Sequence, residues 1–232
     1  MRYALYFSPN PEHPLLACGN AWLGRDAETG EQIVQPDVPG FDRRDIEALT
    51  AAPRRYGFHA TIKAPFALAE DTSRAELHAF ASVFGLHERT FDLPPLAVAV
   101  LDDFIALRPA HPAPPLQALA DACVMHFDRF RAPPGVDEDA ARRGRSLDEA
   151  ARRRLERWGY PHVFEGFRFH LTLTGRLDAA ARERLLPWLR AHFAGPLAAP
   201  LRFDALALFV EPAAGAPFRL ETRLPLATAG TS

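Results

Sequence analysis

Tyr56-Gly57-Phe58-His59-Ala60-Thr61-Ile62-Lys63-Ala64-Pro65-Phe66 and Phe167-Arg168-Phe169-His170-Leu171-Thr172-Leu173-Thr174-Gly175 are two short alternating stretches that share one pattern, Phe-His-apolar-Thr-apolar. Each is too short and too strictly alternating for a helix and reads as a strand. In a chain of this composition the pattern occurs twice by chance with a frequency on the order of 2 in 100,000, or about ten- to a hundredfold more for a pattern chosen after the fact, so coincidence is a poor account of it. Side chains at i, i+2 and i+4 of a strand project from one face. His59, Thr61 and Lys63 are therefore expected on one face, and His170, Thr172 and Thr174 on another.

Outward from these stretches, the two halves of the chain repeat an order of elements: a strand carrying the pattern, a capped helix, a hairpin. Ser73-x-x-Glu76 is a capping box that opens an amphipathic helix to about Leu86. Leu96–Arg108 reads as a hairpin turning at Asp102-Asp103. In the second half Asp178 caps a helix expected to kink or end near Pro187, and Leu201–Val210 with Phe218–Leu224 forms a further hairpin. Residues 2–8 predict an opening strand, 24–42 a long loop, 43–51 a short helix capped by Asp42, and 115–131 a helix. Ser146-x-x-Glu149 predicts a capped Arg-rich helix stopping at Trp158-Gly159. The two histidines lie 111 positions apart, near half the length, which is the mark of an internal duplication with pseudo-twofold symmetry. We expect one domain over 1–232, with lobes 1–131 and 146–227 and a connector at 132–145.

Composition narrows the function. Of 232 residues 48% are hydrophobic and 24% charged, and the net charge is -2. That is an ordinary globular chain with no electrostatic footprint for duplex nucleic acid or an anionic membrane. Cys18 and Cys123 are too far apart for a CxxC site, no run is long enough for a membrane span, and Met1–Pro9 is too short and too soon broken by proline to be expected to act as a signal peptide. A reducing, cytoplasmic compartment is expected, and a monomer. Lys63 is the single lysine and follows Ile62, so no phosphate-binding Gly-Lys loop exists. No serine stands in Gly-x-Ser-x-Gly, and no HExxH occurs. We expect no cofactor and no dedicated metal.

What remains is the paired pattern. Two facing imidazoles supply a general base and a general acid near neutral pH. The hydroxyls of Thr61 and Thr172 with the Lys63 ammonium would hold an anionic tetrahedral group between them. This constellation suits phosphoryl chemistry, with His59 and His170 as catalytic residues. Tyr56 and Phe104 are candidates to stack on a sugar or base, Arg108 and Arg168 to reach phosphate, and Thr174 to contact substrate. His13, His111 and His162 have no paired context and receive no role.

These segments resemble the two His-x-Thr motifs of the 2H phosphoesterase superfamily, which includes bacterial RNA 2′,5′-ligase-like proteins and cyclic phosphodiesterases. Arg54–Phe66, Phe104–Pro109, Phe127–Pro133, Trp158-Gly159-Tyr160-Pro161 and Phe167–Leu177 are similar to its phosphonate-metabolism branch, whose members are often encoded beside genes for carbon–phosphorus bond cleavage. The resemblance runs over nearly the whole chain. It implies a bilobal α+β fold in which two antiparallel sheets face each other across a cleft, one His-x-Thr on each. It also implies hydrolysis of a small cyclic phosphodiester, on a cyclic nucleotide or a ribosyl cyclic phosphate. Two other readings use the same residues: a non-catalytic module that binds a phosphorylated nucleotide or sugar, and processing of the 2′–5′ ends of short RNA.

Overall fold

Tyr3–Phe7 are five consecutive buried residues, so the strand they form, β1 (Arg2–Phe7), has to lie inside a sheet with both faces covered. It does, in a computed structural model that describes residues 1–133 and 147–228. The remaining strands are β2 (Ala60–Phe66), β3 (Phe91–Asp92), β4 (Leu96–Leu101), β5 (Phe104–Pro109), β6 (Leu171–Thr172), β7 (Arg202–Phe203), β8 (Ala205–Glu211) and β9 (Arg219–Pro225). The described helices are α1 (Pro14–Leu23), α2 (Arg43–Tyr56), α3 (Arg74–His87), α4 (Pro114–Phe127), α5 (Glu149–Trp158) and α6 (Ala179–Ala198). The class is α+β. None of the described helices is long and apolar enough to cross a membrane.

The sheet arrangement differs from the expected pair of facing sheets. Seven strands form one antiparallel sheet in the order β4-β5-β6-β2-β1-β8-β9, and β3 with β7 forms a separate two-stranded ribbon. The reason is local. Ala60 of β2 pairs with Leu171 of β6, so the two His-x-Thr strands join edge to edge instead of facing each other. Each side of the sheet takes strands from both halves of the chain.

Alternation along the strands sorts the two faces. Leu5, Phe7, Ala60, Ile62, Leu107, Leu171, Leu206 and Leu208 enter the main core, which also takes Leu77, Leu119, Phe127, Leu185, Leu189 and Phe193 from the helices. Ala4, Tyr6, Ala207 and Phe209 point the other way and, with Phe218, make a smaller cluster flanked by Tyr56. His59 and Thr61 have the parity of this second face.

Several elements run further than the sequence predicts. Asp42 does cap α2, in a capping box with Asp45, but the helix continues through Pro53 to Tyr56 and not only to about 51. α6 is capped by Asp178 as expected yet runs 20 residues through Pro187 and Pro196, held by Leu185, Leu189 and Phe193 against the core. Burial along one face there outweighs the local cost of the prolines. α1 was not evident in the sequence; His13 caps it, accepting a bond from Leu15 N–H through Nδ1, and Gly24 ends it in the left-handed region at φ +76°. The α3 capping box and the first hairpin stand where predicted; the second hairpin starts at Ala205, because Arg202–Phe203 pairs with β3 instead. α5 is capped by Asp148; Ser146 and most of the 132–145 connector lie outside the described residues.

Candidate active site

The repeated Phe-His pair is an anchor and its outward neighbour. Phe58 is buried against Gly19, where a Cβ would come within 2.3 Å of the ring, and Phe169 is buried against Phe7 at a centroid distance of 5.6 Å. With each Phe fixed in the core, strand alternation sends the following His to the opposite face. Gly57 makes the first approach possible: at φ +82° and ψ 175° it turns the chain from the end of α2 into β2, a conformation open in practice only to glycine.

Both imidazoles are held by the same device. Nδ1–H of His59 donates to the carbonyl of Gly57 at 2.8 Å, and Nδ1–H of His170 donates to the carbonyl of Arg168 at 2.6 Å. In each case the acceptor is the residue two before the histidine. A carbonyl only accepts, so both rings carry their proton on Nδ1 when neutral and leave Nε2 for chemistry. Nε2 of His59 lies 3.3 Å from the Thr61 hydroxyl. Tyr6 stacks on the His59 ring at 3.8 Å, and the Phe104 ring lies 5.6 Å from His170.

Register brings the pieces together. Continuing the Ala60–Leu171 pairing by one residue on either side sets His59 opposite Thr172 and Thr61 opposite His170. Two histidines and two threonines thus occupy the corners of one small square on one sheet face. Pairing of Ala106 with Thr172 and Leu107 with Leu171 likewise places Arg108 beside His170. Tyr56 closes the other side, 6.0 Å from His59 and stacked on Phe218.

Neither imidazole is easily protonated. Burial pushes His59 down to about 4, against the bond to Gly57, and the nearby His170 lowers it further. His170 is lowered as well, first by burial and then by the charges of Arg168 and Arg108 and by His162. A folded value below the ordinary 6.5 means that the unfolded chain takes up protons first. Stability contributed by neutral His59 is therefore present above about 6.5 and lost as pH falls toward 4. We expect the His59 ring resonances to titrate with a midpoint near 4 by NMR and to move upward when inorganic phosphate is added; an ordinary midpoint near 6.5 in the free protein would contradict the buried setting.

Two predicted site residues are elsewhere. Lys63 does not share the face of His59 and Thr61. β1 and β2 slip register, pairing Tyr6 with Thr61 but Leu5 with Lys63, so a bulge turns Lys63 toward α4. There its ammonium donates to the carbonyl of Val124 at 3.2 Å and lies 3.6 Å from the Asp128 carboxylate, with its pKa lowered by burial to about 8. We expect Lys63→Met to change kcat/KM for any substrate of this site by less than about threefold, measured by steady-state kinetics; a loss of a hundredfold would return Lys63 to the site. Thr174 is also structural: it is buried, and its Oγ1 accepts the Ile105 N–H at 3.0 Å. β6 ends at Thr172, so the alternation assumed for Thr174 does not reach it.

Tyr6 and Gly57 were missed. Tyr6 has only its parity against Leu5 and Phe7 as a signal, and Gly57 its place between a helix and the Phe-His pair. His162, given no role from sequence, lies near enough to His170 to disfavour its charge. Among the described residues no cluster of three or more His, Cys, Asp or Glu forms a metal-ligand set.

Two histidines presented by paired strands and two threonine hydroxyls thus share one sheet face. Residues 61–219 match the family described as "Protein of unknown function (DUF1045)", and the chain belongs to that family. It is 40% identical over 233 residues to "Ribose 1,5-bisphosphate phosphokinase PhnN" of Janthinobacterium sp. (strain Marseille), covering 99% of this chain and 51% of that protein. It is 43% identical over 232 residues to the protein of the same name from Laribacter hongkongensis (strain HLHK9), covering 100% of this chain and 53% of that one. The chain spans about half the length of the curated relatives it matches.

Proposed function

We propose that this protein is a metal-independent phosphodiesterase of the 2H type that opens a small cyclic phosphodiester by two-histidine acid–base catalysis. The observation that carries the reading is the matched pair. His59 and His170 are each tied through Nδ1 to the carbonyl two residues back, each on the face that also carries Thr61 and Thr172. The resemblance of both His-x-Thr segments to the 2H superfamily supports the same reading.

In this mechanism the phosphate lies between the two Nε2 atoms, and Thr61 and Thr172 donate to its non-bridging oxygens. Nε2 of one histidine takes a proton from water as the water oxygen bonds to phosphorus. The bond from phosphorus to one ring oxygen breaks, and protonated Nε2 of the other histidine gives its proton to that alkoxide. The products are a phosphomonoester and a free hydroxyl. Burial holds both histidines neutral, which readies one to accept the water proton, and the substrate's negative charge favours protonation of the other.

The relatives suggest the substrate. Their name is that of a kinase, and a kinase built on a phosphate-binding loop needs a Gly-Lys that this chain lacks. We assign the kinase activity to the half of those proteins that this chain does not match. A cyclic phosphate bridging O1 and O2 of ribose, opened at O2, leaves a phosphate on C1; with a phosphate already on C5 the product is the ribose 1,5-bisphosphate of the relatives' name. A place in phosphonate metabolism fits the resemblance of the sequence to that branch. Turnover of such a ribosyl cyclic phosphate should persist in EDTA within about twofold, and a loss restored by one particular metal ion would overturn the metal-independent mechanism.

A further inference from the structure

We propose that the open groove lined by Arg108 and Arg168, the neighbours of His170 across β5 and along the chain, is a second anion subsite, that it holds a phosphomonoester carried by the same substrate, and that Arg108 is its specificity-determining residue. The proposal rests on the cyclic-phosphodiester reading and adds to it what the substrate bears at its far end.

The groove encloses about 650 Å³ and is lined by Arg108, His111, Gln117 and Arg168, with Phe167 and Phe169 along one wall. That is room for a sugar phosphate. Its two cations differ. Arg168 is exposed and pairs with Asp102 at 3.2 Å, so its charge is already matched. Arg108 has no carboxylate partner among the described residues. Its Nε is buried and finds no hydrogen-bond partner among the described residues. A buried guanidinium N–H without an acceptor carries a desolvation cost that a bound anion would remove.

Position makes the anion part of the substrate. His59 stands just before β2, His170 just before β6, and Arg108 on β5, three neighbouring strands in that order. Each step between strands is about 4.8 Å, so Arg108 lies one step beyond His170 on the side away from His59. That step is on the scale of one furanose ring. A cyclic phosphate between the histidines then leaves a phosphate on the far end of the sugar within reach of the Arg108 fork, which binds phosphate oxygens in pairs. The backbone completes the coupling, because the carbonyl of Arg168, on the groove's other wall, is the one that orients His170.

The test uses the whole chain as wild type, Arg108→Ala and Arg108→Lys. The ratio of kcat/KM for ribose 1,2-cyclic phosphate with and without a 5-phosphate is measured for each. We expect the 5-phosphate to be preferred by about 10- to 100-fold in wild type, the preference to fall close to unity in Arg108→Ala, mainly through KM, and to return in part in Arg108→Lys. A merely structural Arg108 would lower both substrates together and leave the ratio standing, which would overturn the proposal. Calorimetric binding of ribose 5-phosphate, which has no diester to cleave, is measured alongside. A Kd raised about 10- to 100-fold in Arg108→Ala supports the subsite even if neither diester is turned over, in which case the phosphodiesterase reading alone fails. An unchanged Kd in Arg108→Ala, or no binding to wild type at millimolar concentration, overturns the subsite whatever the diesters do.

Discussion

Replacing His59 or His170 by alanine is expected to lower turnover of a ribosyl cyclic phosphate by about two to four orders of magnitude, while KM changes far less. The effect is large because, in the proposed mechanism, each imidazole moves a proton that neither threonine nor Lys63 can move. Thr61 and Thr172 are hydroxyls without acid–base range near neutral pH, and Lys63 is turned away toward Val124 and Asp128. The two losses should not add in the double variant, since either removal already breaks the same concerted transfer. Steady-state kinetics at neutral pH decides the matter, and full activity in either single variant would remove the two-histidine mechanism. The pH profile adds a signed expectation. With burial holding His59 near 4, the acid limb of kcat/KM should fall well below the ordinary histidine value of 6.5.

Gly57→Ala should destabilise the fold strongly for a change of one methyl group. Gly57 stands at φ +82° and ψ 175°, and a Cβ there would lie 2.5 Å from the Cβ of Ala27. Backbone strain of about 1–3 kcal/mol joins an overpacking cost of similar size, so a loss of roughly 3–5 kcal/mol of stability is expected in chemical denaturation. The same carbonyl receives Nδ1–H of His59, so the part of the population that remains folded should also lose turnover. A variant as stable as the wild type would mean that the turn into β2 is not fixed as described. Gly215→Ala serves as the contrast. Gly215 also has φ +82°, but nothing lies within 4 Å of a Cβ there, so only the backbone cost applies.

Much of this was legible in the sequence because the signals were local. The Ser73-x-x-Glu76 box and the turn at Asp102-Asp103 each depend on residues within a few positions of one another, and each stands as read. The two His-x-Thr segments are legible as short extended stretches, but they join edge to edge in one sheet and do not face each other across a cleft. What escaped depends on neighbours distant in sequence. The bulge that turns Lys63 away exists only because β1 and β2 pair out of step at Leu5 and Tyr6, and no periodicity within β2 records it. The alternation that would bring Thr174 to the site ends at Thr172, and the Thr174 hydroxyl accepts the Ile105 amide instead. Pro187 reads as a helix end, yet Leu185, Leu189 and Phe193 supply enough burial to carry α6 past it. The joining of two expected sheets into one rests on the single pairing of Ala60 with Leu171, strands that are 111 positions apart.

The most direct test of the central claim is ³¹P NMR of 5-phosphoribosyl 1,2-cyclic phosphate incubated with the wild-type protein in ¹⁸O-enriched water and EDTA. The account predicts that the cyclic diester signal is replaced by that of a phosphomonoester carrying one ¹⁸O on phosphorus, with the same water-derived oxygen absent when His59 or His170 is alanine. A cyclic diester that binds and persists unchanged in all three proteins would contradict it, and would make the paired histidines a recognition site.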